Sequence, residues 1–148
     1  DCMNSNNENT LLSKLLTRDV LSINENETIY KAIKLLANNN IGALPVVNSE
    51  MELCGILSER DVIREMSNNP SVNFKKSLIN SIMTSNVITI EKNESSENIM
   101  VTMTNNKIRH IPIVDKKILI GIVSIGDVVK RLLEKFNLEN QHLKSWLY

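Results

Sequence analysis

The sequence predicts an α+β fold built from two β-α-β-β-α repeats related by pseudo-two-fold symmetry, with a C-terminal helical tail. The first observation behind this prediction is internal: residues 11–47 align with residues 78–114 without a gap. The second is that the alignment resumes after a hairpin turn that is one residue longer in the first copy, so that Asp61 matches Asp127. A duplicated unit tolerates a one-residue difference in a surface turn.

Each repeat opens with a short helical lead-in and a short strand candidate, residues 20–23 (VLSI) and 87–90 (VITI). A polar turn follows, and a helix is predicted to begin at Thr28 and at Ser95, because both residue types are good N-caps. Apolar residues recur at helical spacing on both helices, which predicts that one face packs on a sheet. They are Ile29, Ala32, Ile33 and Leu36 in the first helix and Ile99, Met100 and Met103 in the second.

The second half of each repeat is predicted to be a β-hairpin followed by a closing helix. The strands ALPVV and HIPIV pair with LCGIL and LIGIV across a charged turn, and each closing helix begins at a Ser-x-x-Asp motif. Asparagines and a proline mark the linker between the repeats. The predicted boundaries are residues 9–66 for the first repeat, 67–76 for the linker, 77–134 for the second repeat and 135–148 for the tail.

Composition excludes several classes of function. The 148 residues are 42% hydrophobic, enough for a packed core, and the 17 basic and 17 acidic side chains cancel. Without a net positive field, and with only 3% aromatic residues, nucleic-acid binding is not expected. No apolar stretch approaches the roughly 20 residues that span a bilayer, and the N-terminus lacks an apolar signal core. We therefore expect a cytoplasmic protein without membrane attachment.

Catalytic chemistry is not indicated either. Cys2 and Cys54 have neither disulfide-framework nor metal-ligand spacing. The sequence contains no nucleophile paired with a base, no glycine-rich phosphate loop and no cluster of residues with metal spacing. We expect no enzyme activity and no bound metal.

The two Ser-x-x-Asp motifs, Ser58 to Asp61 and Ser124 to Asp127, have two interpretations. In a capping box the hydroxyl accepts from one orphan N–H of the helix and the acid reaches back to another. A binding role is favoured by other features: both copies use Asp where Glu or Gln caps best, and both follow a glycine-containing strand that another group can approach closely. Each also lies one hairpin away from an Ile-x-x-x-Pro segment, whose proline limits strand pairing. The residues alone leave both interpretations open.

The order and duplication of these motifs resemble a tandem pair of CBS domains, the regulatory module named after cystathionine β-synthase. The resemblance extends over residues 11–134 and is carried by GALPVV and RHIPIV, GILS and GIVS, and SERDV and SIGDV. The second repeat is especially similar to stand-alone bacterial CBS-pair proteins. The resemblance implies two clefts between the repeats that bind adenosine-containing ligands: AMP, ADP, ATP, NAD or S-adenosylmethionine. It also implies that the Asp accepts hydrogen bonds from the ribose hydroxyls, while the Ser and the helix N-terminus face phosphate.

The resemblance assigns residues to each cleft by position. The first cleft would use Ser124 and Asp127, an adenine wall of Thr17, Asp19, Leu21, Ile41, Gly42, Ala43 and Pro45, and the basic residues Arg109 and His110. The second would use Ser58 and Asp61, a wall of Thr84, Asn86, Ile88 and residues Ile108 to Pro112, and Arg60 as a phosphate contact.

The two clefts are not expected to be equivalent. The first has the small pair Gly42-Ala43 in its wall, where the second has the bulky, basic pair Arg109-His110. We therefore expect different ligands or affinities, with tighter adenosine binding in the Asp127 cleft.

The resemblance also implies a sensor of energy charge or cofactor level that signals by changing shape. We expect a homodimer that acts on an unknown effector protein in trans. The alternative is a dimerisation or protein-interaction module whose clefts are empty and whose Ser-x-x-Asp motifs only cap. The apolar tail would be an extra helix over the chain's own core, a dimer contact or a helix that docks on a partner protein.

Overall fold

The chain folds into two similar halves, and the computed structural model describes residue 16 and residues 19–147, with side chains as far as residue 142. The first half consists of β1 (Ile23–Asn24), α1 (Ile29–Asn39), β2 (Ala43–Val47), β3 (Leu53–Ser58) and α2 (Glu59–Asn68). The second half consists of a 3₁₀ helix (Ile79–Ser81), α3 (Ser96–Asn106), β4 (His110–Asp115), β5 (Ile118–Ser124) and α4 (Ile125–Leu147). This arrangement confirms the predicted α+β repeat.

The strands form one small sheet in each half. In the first sheet β1 runs parallel to β2, which pairs antiparallel with β3; in the second, β4 pairs antiparallel with β5. The equivalent of β1 in the second half is a single parallel bridge between Ile90 and Ile113. The strands predicted at residues 20–23 and 87–90 are therefore too long. In the first half the reason is that Val20 and Leu21 border a cavity instead of a neighbouring strand.

The first helix of each half begins and ends as its sequence dictates. The hydroxyls of Thr28 and Ser95 accept hydrogen bonds from the third helical N–H, as good N-caps do. Both helices end at a residue in the left-handed region, Asn40 (φ 53°) and Lys107 (φ 54°). The residues that they bury occupy equivalent positions: Ile29, Ala32 and Leu36 in α1, and Ser96, Ile99 and Met103 in α3.

Each half has its own apolar core, and the lead-in of each half packs on the core of the other. Ile79, from the lead-in of the second half, is fully buried with Leu44 and Leu57 of the first half. Conversely, Leu16 precedes the first half and packs against the core of the second. The two repeats thus complete each other's cores, and burial of apolar surface holds them together.

Backbone hydrogen bonds secure the exchanged lead-in. Ile56 in β3 and Thr84 exchange two N–H···O bonds of 2.9 Å each, and the N–H of Ile29 donates to the carbonyl of Ser77 at 2.9 Å. This close approach requires Gly55, because a Cβ at that position would lie 2.7 Å from the Thr84 carbonyl oxygen.

The closing helix of the second half is much longer than that of the first. Residues predicted as a separate tail continue α4 without a break as far as Leu147. An ion pair of 3.1 Å between Lys135 and Glu97 ties α4 to α3. Beyond it, the side chains of Phe136 and Leu138 are each 60% exposed, so neither of these two residues covers the chain's own core. Within the described residues, no helix combines the length and the apolar character needed to cross a membrane.

We predict that Gly55→Ala lowers the free energy of unfolding by about 1–3 kcal/mol, the usual cost of forcing a methyl group into a packed site. The matched control is Gly126→Ala, whose Cβ would meet only the Ser124 hydroxyl at 3.6 Å. Alanine is the better helix former, so this control should be neutral or stabilising by up to about 1 kcal/mol. Urea denaturation of both variants checks this, and equal stabilities would contradict the role given to Gly55.

Candidate ligand site between the two halves

A cavity of about 410 Å³ opens between the two halves, within the roughly 300–1,000 Å³ typical of small-molecule sites. The chain before β1, the end of α1, both hairpins and the start of α4 contribute to its walls. The lining residues are Asp19, Val20, Leu21, Asn39, Ile41, Ala43, Pro45, His110, Ile122, Ser124 and Asp127. The structure therefore brings together most of the residues predicted for the first cleft.

Strand geometry explains how the hairpins line the cavity. Successive side chains on a strand point to opposite faces, so residues two apart share a face. Ala43 and Pro45 are such a pair on β2, and Ile122 and Ser124 are another on β5. His110 lies directly opposite Ser124 across the β4–β5 ladder.

Ser124 and Asp127 form a capping box at the start of α4, on the cavity wall. The N–H and hydroxyl of Ser124 donate to Asp127 Oδ2 at 3.0 and 2.9 Å, and the N–H of Asp127 donates to the Ser124 hydroxyl at 3.1 Å. Among the described residues, Asp127 Oδ1 accepts no hydrogen bond. A carboxylate has only acceptors, so this oxygen can receive a ligand hydroxyl.

The equivalent box in the first half has the same internal geometry but different surroundings. The N–H and hydroxyl of Ser58 donate to Asp61 Oδ2 at 2.8 and 3.1 Å. Asp61 is only 8% exposed, however, and Arg64 Nη1 lies 3.7 Å from its Oδ1. This carboxylate acts as a helix cap with its second oxygen near a cation.

The other residues predicted for the second cleft, apart from His110, do not line either of the two cavities found in the structure. The backbone of Thr84 is bonded to Ile56, Arg60 and Asn86 are exposed, and Ile108 packs against the core of the second half. Ile88 is also exposed at the surface, while Ile111 and Pro112 are buried. Apart from His110, none of the residues predicted for this cleft lines the cavity at Asp127 or a second cavity at the hairpin-turn ends of the two sheets.

Three of the residues predicted for the first cleft are not among its lining residues. Thr17 lies outside the described residues. Gly42 and Arg109, which immediately precede β2 and β4, do not border the cavity. Gly42 instead lies near a pair of side chains, since a Cβ there would be 3.7 Å from His110 Cε1 and 3.8 Å from the carboxyl carbon of Glu59.

Three lining residues, Val20, Asn39 and Ile122, were not predicted from the sequence. Ile122 could have been found, because it lies two residues before Ser124 on the same strand and so shares its face. Val20 lies between the predicted Asp19 and Leu21. Asn39 carried no signal, since it belongs to a run of asparagines at a helix end.

His110 is half-buried beside two carboxylates. Burial lowers the pKa of its imidazole from the usual 6.5, while the charges of Asp127 and Glu59 act in the opposite direction and Arg109 reinforces the lowering. The ring is therefore neutral at pH 7, with one nitrogen that donates and one that accepts.

A second cavity of about 470 Å³ lies at the hairpin-turn ends of the two sheets. Lys116 and Lys117 line it together with Glu52 and Glu91, so the charges on its wall cancel. Cys54 also borders it, but burial raises the pKa of the thiol to about 11, which keeps it protonated. In the part of the chain that the structure describes, no cluster of His, Cys, Asp and Glu could hold a metal ion.

We predict that His110 weakens folding at acid pH. Its folded-state pKa is below the 6.5 of the unfolded chain, so its contribution to stability is present above pH 6.5 and is lost as pH falls through the folded pKa. Urea denaturation at pH 7.5 and 5.5 should therefore show a larger loss for the natural chain than for His110→Gln. An equal loss in both would contradict the burial of the ring.

Comparison with known proteins agrees with this geometry. The family model for the CBS domain matches residues 12–68 and 79–134. A mitochondrial CBS domain-containing protein of Arabidopsis thaliana, CBSX3, is 36% identical over 125 residues, which are 82% of this chain. The chain spans 60% of the length of that relative, and less than half of several others.

Solved structures show the same fold. The CBS-domain protein ATU1752 from Agrobacterium tumefaciens is 31% identical, with a TM-score of 0.75 over 84% of this chain and 91% of that one. The CBS domain pair of protein MJ0100 was solved in complex with 5-methylthioadenosine and S-adenosyl-L-methionine. It is 29% identical, with a TM-score of 0.74 over 84% of this chain and 96% of that one. The chain therefore belongs to the CBS-domain family and consists, over the matched residues, of a tandem pair of CBS domains.

Proposed function

We propose that this CBS pair is a non-catalytic regulatory module that binds an adenosine-containing ligand in the Asp127 cavity and signals its occupancy to an effector protein in trans. The observation that carries the proposal is the Asp127 carboxylate, which Ser124 holds at the wall of a partly apolar cavity. The related MJ0100 pair, solved with two adenosine-containing ligands, supports the ligand class.

The chemistry of the wall suggests how such a ligand would lie. The adenine ring would pack against the apolar side chains of Leu21, Ile41 and Pro45, which line the cavity. The ribose hydroxyls would donate to Asp127, as suits a carboxylate. Groups attached at the 5′ carbon would extend towards Ser124 and the N-terminus of α4, where the helix dipole favours anions. AMP, ADP, ATP, NAD and S-adenosylmethionine all share the adenosine that this arrangement recognises.

Burial favours the Asp127 cavity over the Asp61 cleft as the main site. Both carboxylates are fixed by a serine in the same way, but Asp61 is covered and lies near Arg64. A ligand at Asp61 would have to reach a carboxylate that is largely covered and would compete with Arg64 for its second oxygen. We therefore propose weaker or no adenosine binding by Ser58, Arg60 and Asp61.

Signalling requires that the ligand favour one of two arrangements of the protein. A ligand shifts such an equilibrium only by its difference in affinity for the two states. Because Asp127 lies in the first turn of α4, which continues to Leu147, a tilt at this turn would move the far end of the helix. We propose a homodimer as the signalling unit, with the effector reading this movement.

The second candidate is a dimerisation or protein-interaction module whose clefts stay empty. Its specific support is apolar surface on both closing helices, where Ile63 and Met66 of α2 and Leu133 and Phe136 of α4 are exposed. In this case Ser124 and Asp127 would serve only as a helix cap.

We predict that Asp127→Ala weakens binding of the adenosine ligand by about 10- to 100-fold, because hydrogen bonds to a charged group are worth about 1.5–3 kcal/mol. Isothermal titration of purified chain against AMP, ATP, NAD and S-adenosylmethionine measures this. Asp61→Ala is the matched control: it removes the same kind of cap, and its binding should stay within about threefold of the natural chain's.

Binding and stability measured together on the same two variants separate the candidate functions, because only the regulatory proposal predicts a loss of binding. Loss of a cap alone costs about 1 kcal/mol of folding and leaves binding unaffected. The regulatory proposal fails if none of the four ligands binds the natural chain, or if the Asp127→Ala variant binds a ligand as tightly as the natural chain does. The interaction module then takes its place. A comparable loss of binding in Asp61→Ala would move the site to the second cleft.

A further inference from the structure

The second cavity, of about 470 Å³, lies where the two hairpin turns meet, at the end of each sheet opposite its Ser-x-x-Asp motif. We call it the turn-end cavity. The start of β3, residues 85–91 and the turn between β4 and β5 line it. Backbone hydrogen bonds join the two turns, from the N–H of Leu53 to Lys117 at 3.0 Å and from that of Leu119 to Met51 at 3.1 Å. The cavity therefore has walls from both halves of the protein.

The apolar side chains of the turn-end cavity are less exposed than most of its charged ones. Val114 is buried, and Leu53 and Val87 are half-buried. Three of the four charged side chains on the wall are exposed. Small-molecule sites commonly combine an apolar lining with a few polar groups that orient the ligand. This wall suits a small ligand with an aliphatic body and a charged end.

The charges on the wall sum to zero but do not pair with each other directly. Lys116 and Lys117 supply the positive charges, and Glu52 and Glu91 the negative ones. Within the described part of the chain, neither lysine ammonium makes an ion pair or a hydrogen bond, and the Glu91 carboxylate makes none either. Glu52 accepts one hydrogen bond at Oε1, of 3.1 Å from Asn48 Nδ2. A ligand with one cationic and one anionic group can pair with both kinds of side chain at once.

The turn that carries the two lysines has a backbone conformation that lysine does not favour. Asp115 pairs with Ile118, so Lys116 and Lys117 alone make the turn, and both have a positive φ, 49° and 72°. A two-residue turn of this kind favours Asn-Gly, because a Cβ is crowded in the left-handed region. The chain has lysine at both positions at a cost in conformational free energy. Such local rules are broken most often where a site requires particular side chains.

The equivalent place in the first half lacks this set of charges. The repeat alignment puts Asn24 at the position of Glu91, and the turn of the first half, residues 48–52, contains no lysine. Both halves nevertheless form the same hairpin. The fold itself therefore does not require these charges.

We propose that the turn-end cavity binds a free α-amino acid with an aliphatic side chain. The α-carboxylate pairs with Lys116 and Lys117, the α-ammonium pairs with Glu52 and Glu91, and the side chain packs against the apolar part of the wall. Because Glu52 belongs to the first half and the other three residues to the second, the ligand joins the two halves. It thereby stabilises the folded chain by mass action. This site is separate from the adenosine site and does not depend on it.

Isothermal titration of the purified chain with L-leucine tests the site, and a Kd on the order of 1 mM or lower is expected. Three analogues each lack one group: L-leucinamide the carboxylate, N-acetyl-L-leucine the ammonium and glycine the aliphatic side chain. Each should bind at least about 10-fold more weakly, because each loses one kind of contact with the wall. No binding of L-leucine, or binding of any one analogue as tight as that of L-leucine, would overturn the proposal.

Replacement of the turn separates binding from folding. The double variant Lys116→Asn with Lys117→Gly has the residues that the turn favours, so its midpoint of thermal unfolding should rise while its affinity for L-leucine falls at least about 10-fold. Lys107→Gln is the matched control, because Lys107 is also exposed with a positive φ of 54° but does not line the cavity. Unchanged L-leucine binding in the double variant, or an equal loss in the control, would overturn the proposal.

Titration of the same double variant with the adenosine ligands keeps the two binding proposals apart. Its turn lies at the opposite end of the hairpin from Ser124, so adenosine-ligand binding should match that of the natural chain. Loss of both kinds of binding would show that the turn acts on the whole fold, which would overturn the assignment of the lysines to a separate site.

Discussion

The fold depends on the exchange of lead-in segments between the two halves. Thr84 bonds to Ile56 of β3 through its backbone, and Ile79 fills the core of the first half. The approach is possible because Gly55 has no side chain. Gly121 occupies the equivalent position in β5, where a Cβ would lie 3.3 Å from Leu16 Cδ2. Neither half can therefore complete its core alone, and the separation of the halves, which sets the width of the cavity, is fixed by packing.

Duplication produced two capping boxes, and the surroundings of each box decide what it can do. Both aspartates receive the same two hydrogen bonds from a serine. Arg64 lies near the free oxygen of Asp61, whereas the alignment puts Lys130 at the matching position after Asp127, and no ion pair of Lys130 with Asp127 occurs in the described structure. A motif that caps a helix in one half is thereby left open to a cavity in the other.

The helices and hairpins could be predicted from local chemistry, whereas the outcome of packing could not. The N-caps at Thr28 and Ser95, the hairpin strands and the start of α4 follow from residue type and spacing, whereas most of the cavity wall was predicted by the resemblance to CBS-domain pairs. The low exposure of Asp61 and the absence of Gly42 and Arg109 from the cavity wall could not be predicted from residue type and spacing. The exposure of Phe136 could not be predicted either, because its apolar pattern also fits a separate helix folded back on the core. In the structure α4 instead continues through Phe136 without a break.

The most direct test of the central claim is to map adenosine-ligand contacts by two-dimensional ¹H–¹⁵N NMR, titrating the labelled chain with AMP, ATP, NAD and S-adenosylmethionine. The account predicts that at least one ligand shifts the backbone amide signals of Leu21, Ala43, Ile122 and Asp127, which line the cavity, while those of Ser58 and Asp61 stay in place. Shifts confined to Ser58 and Asp61, or no shift with any of the four ligands, would contradict it.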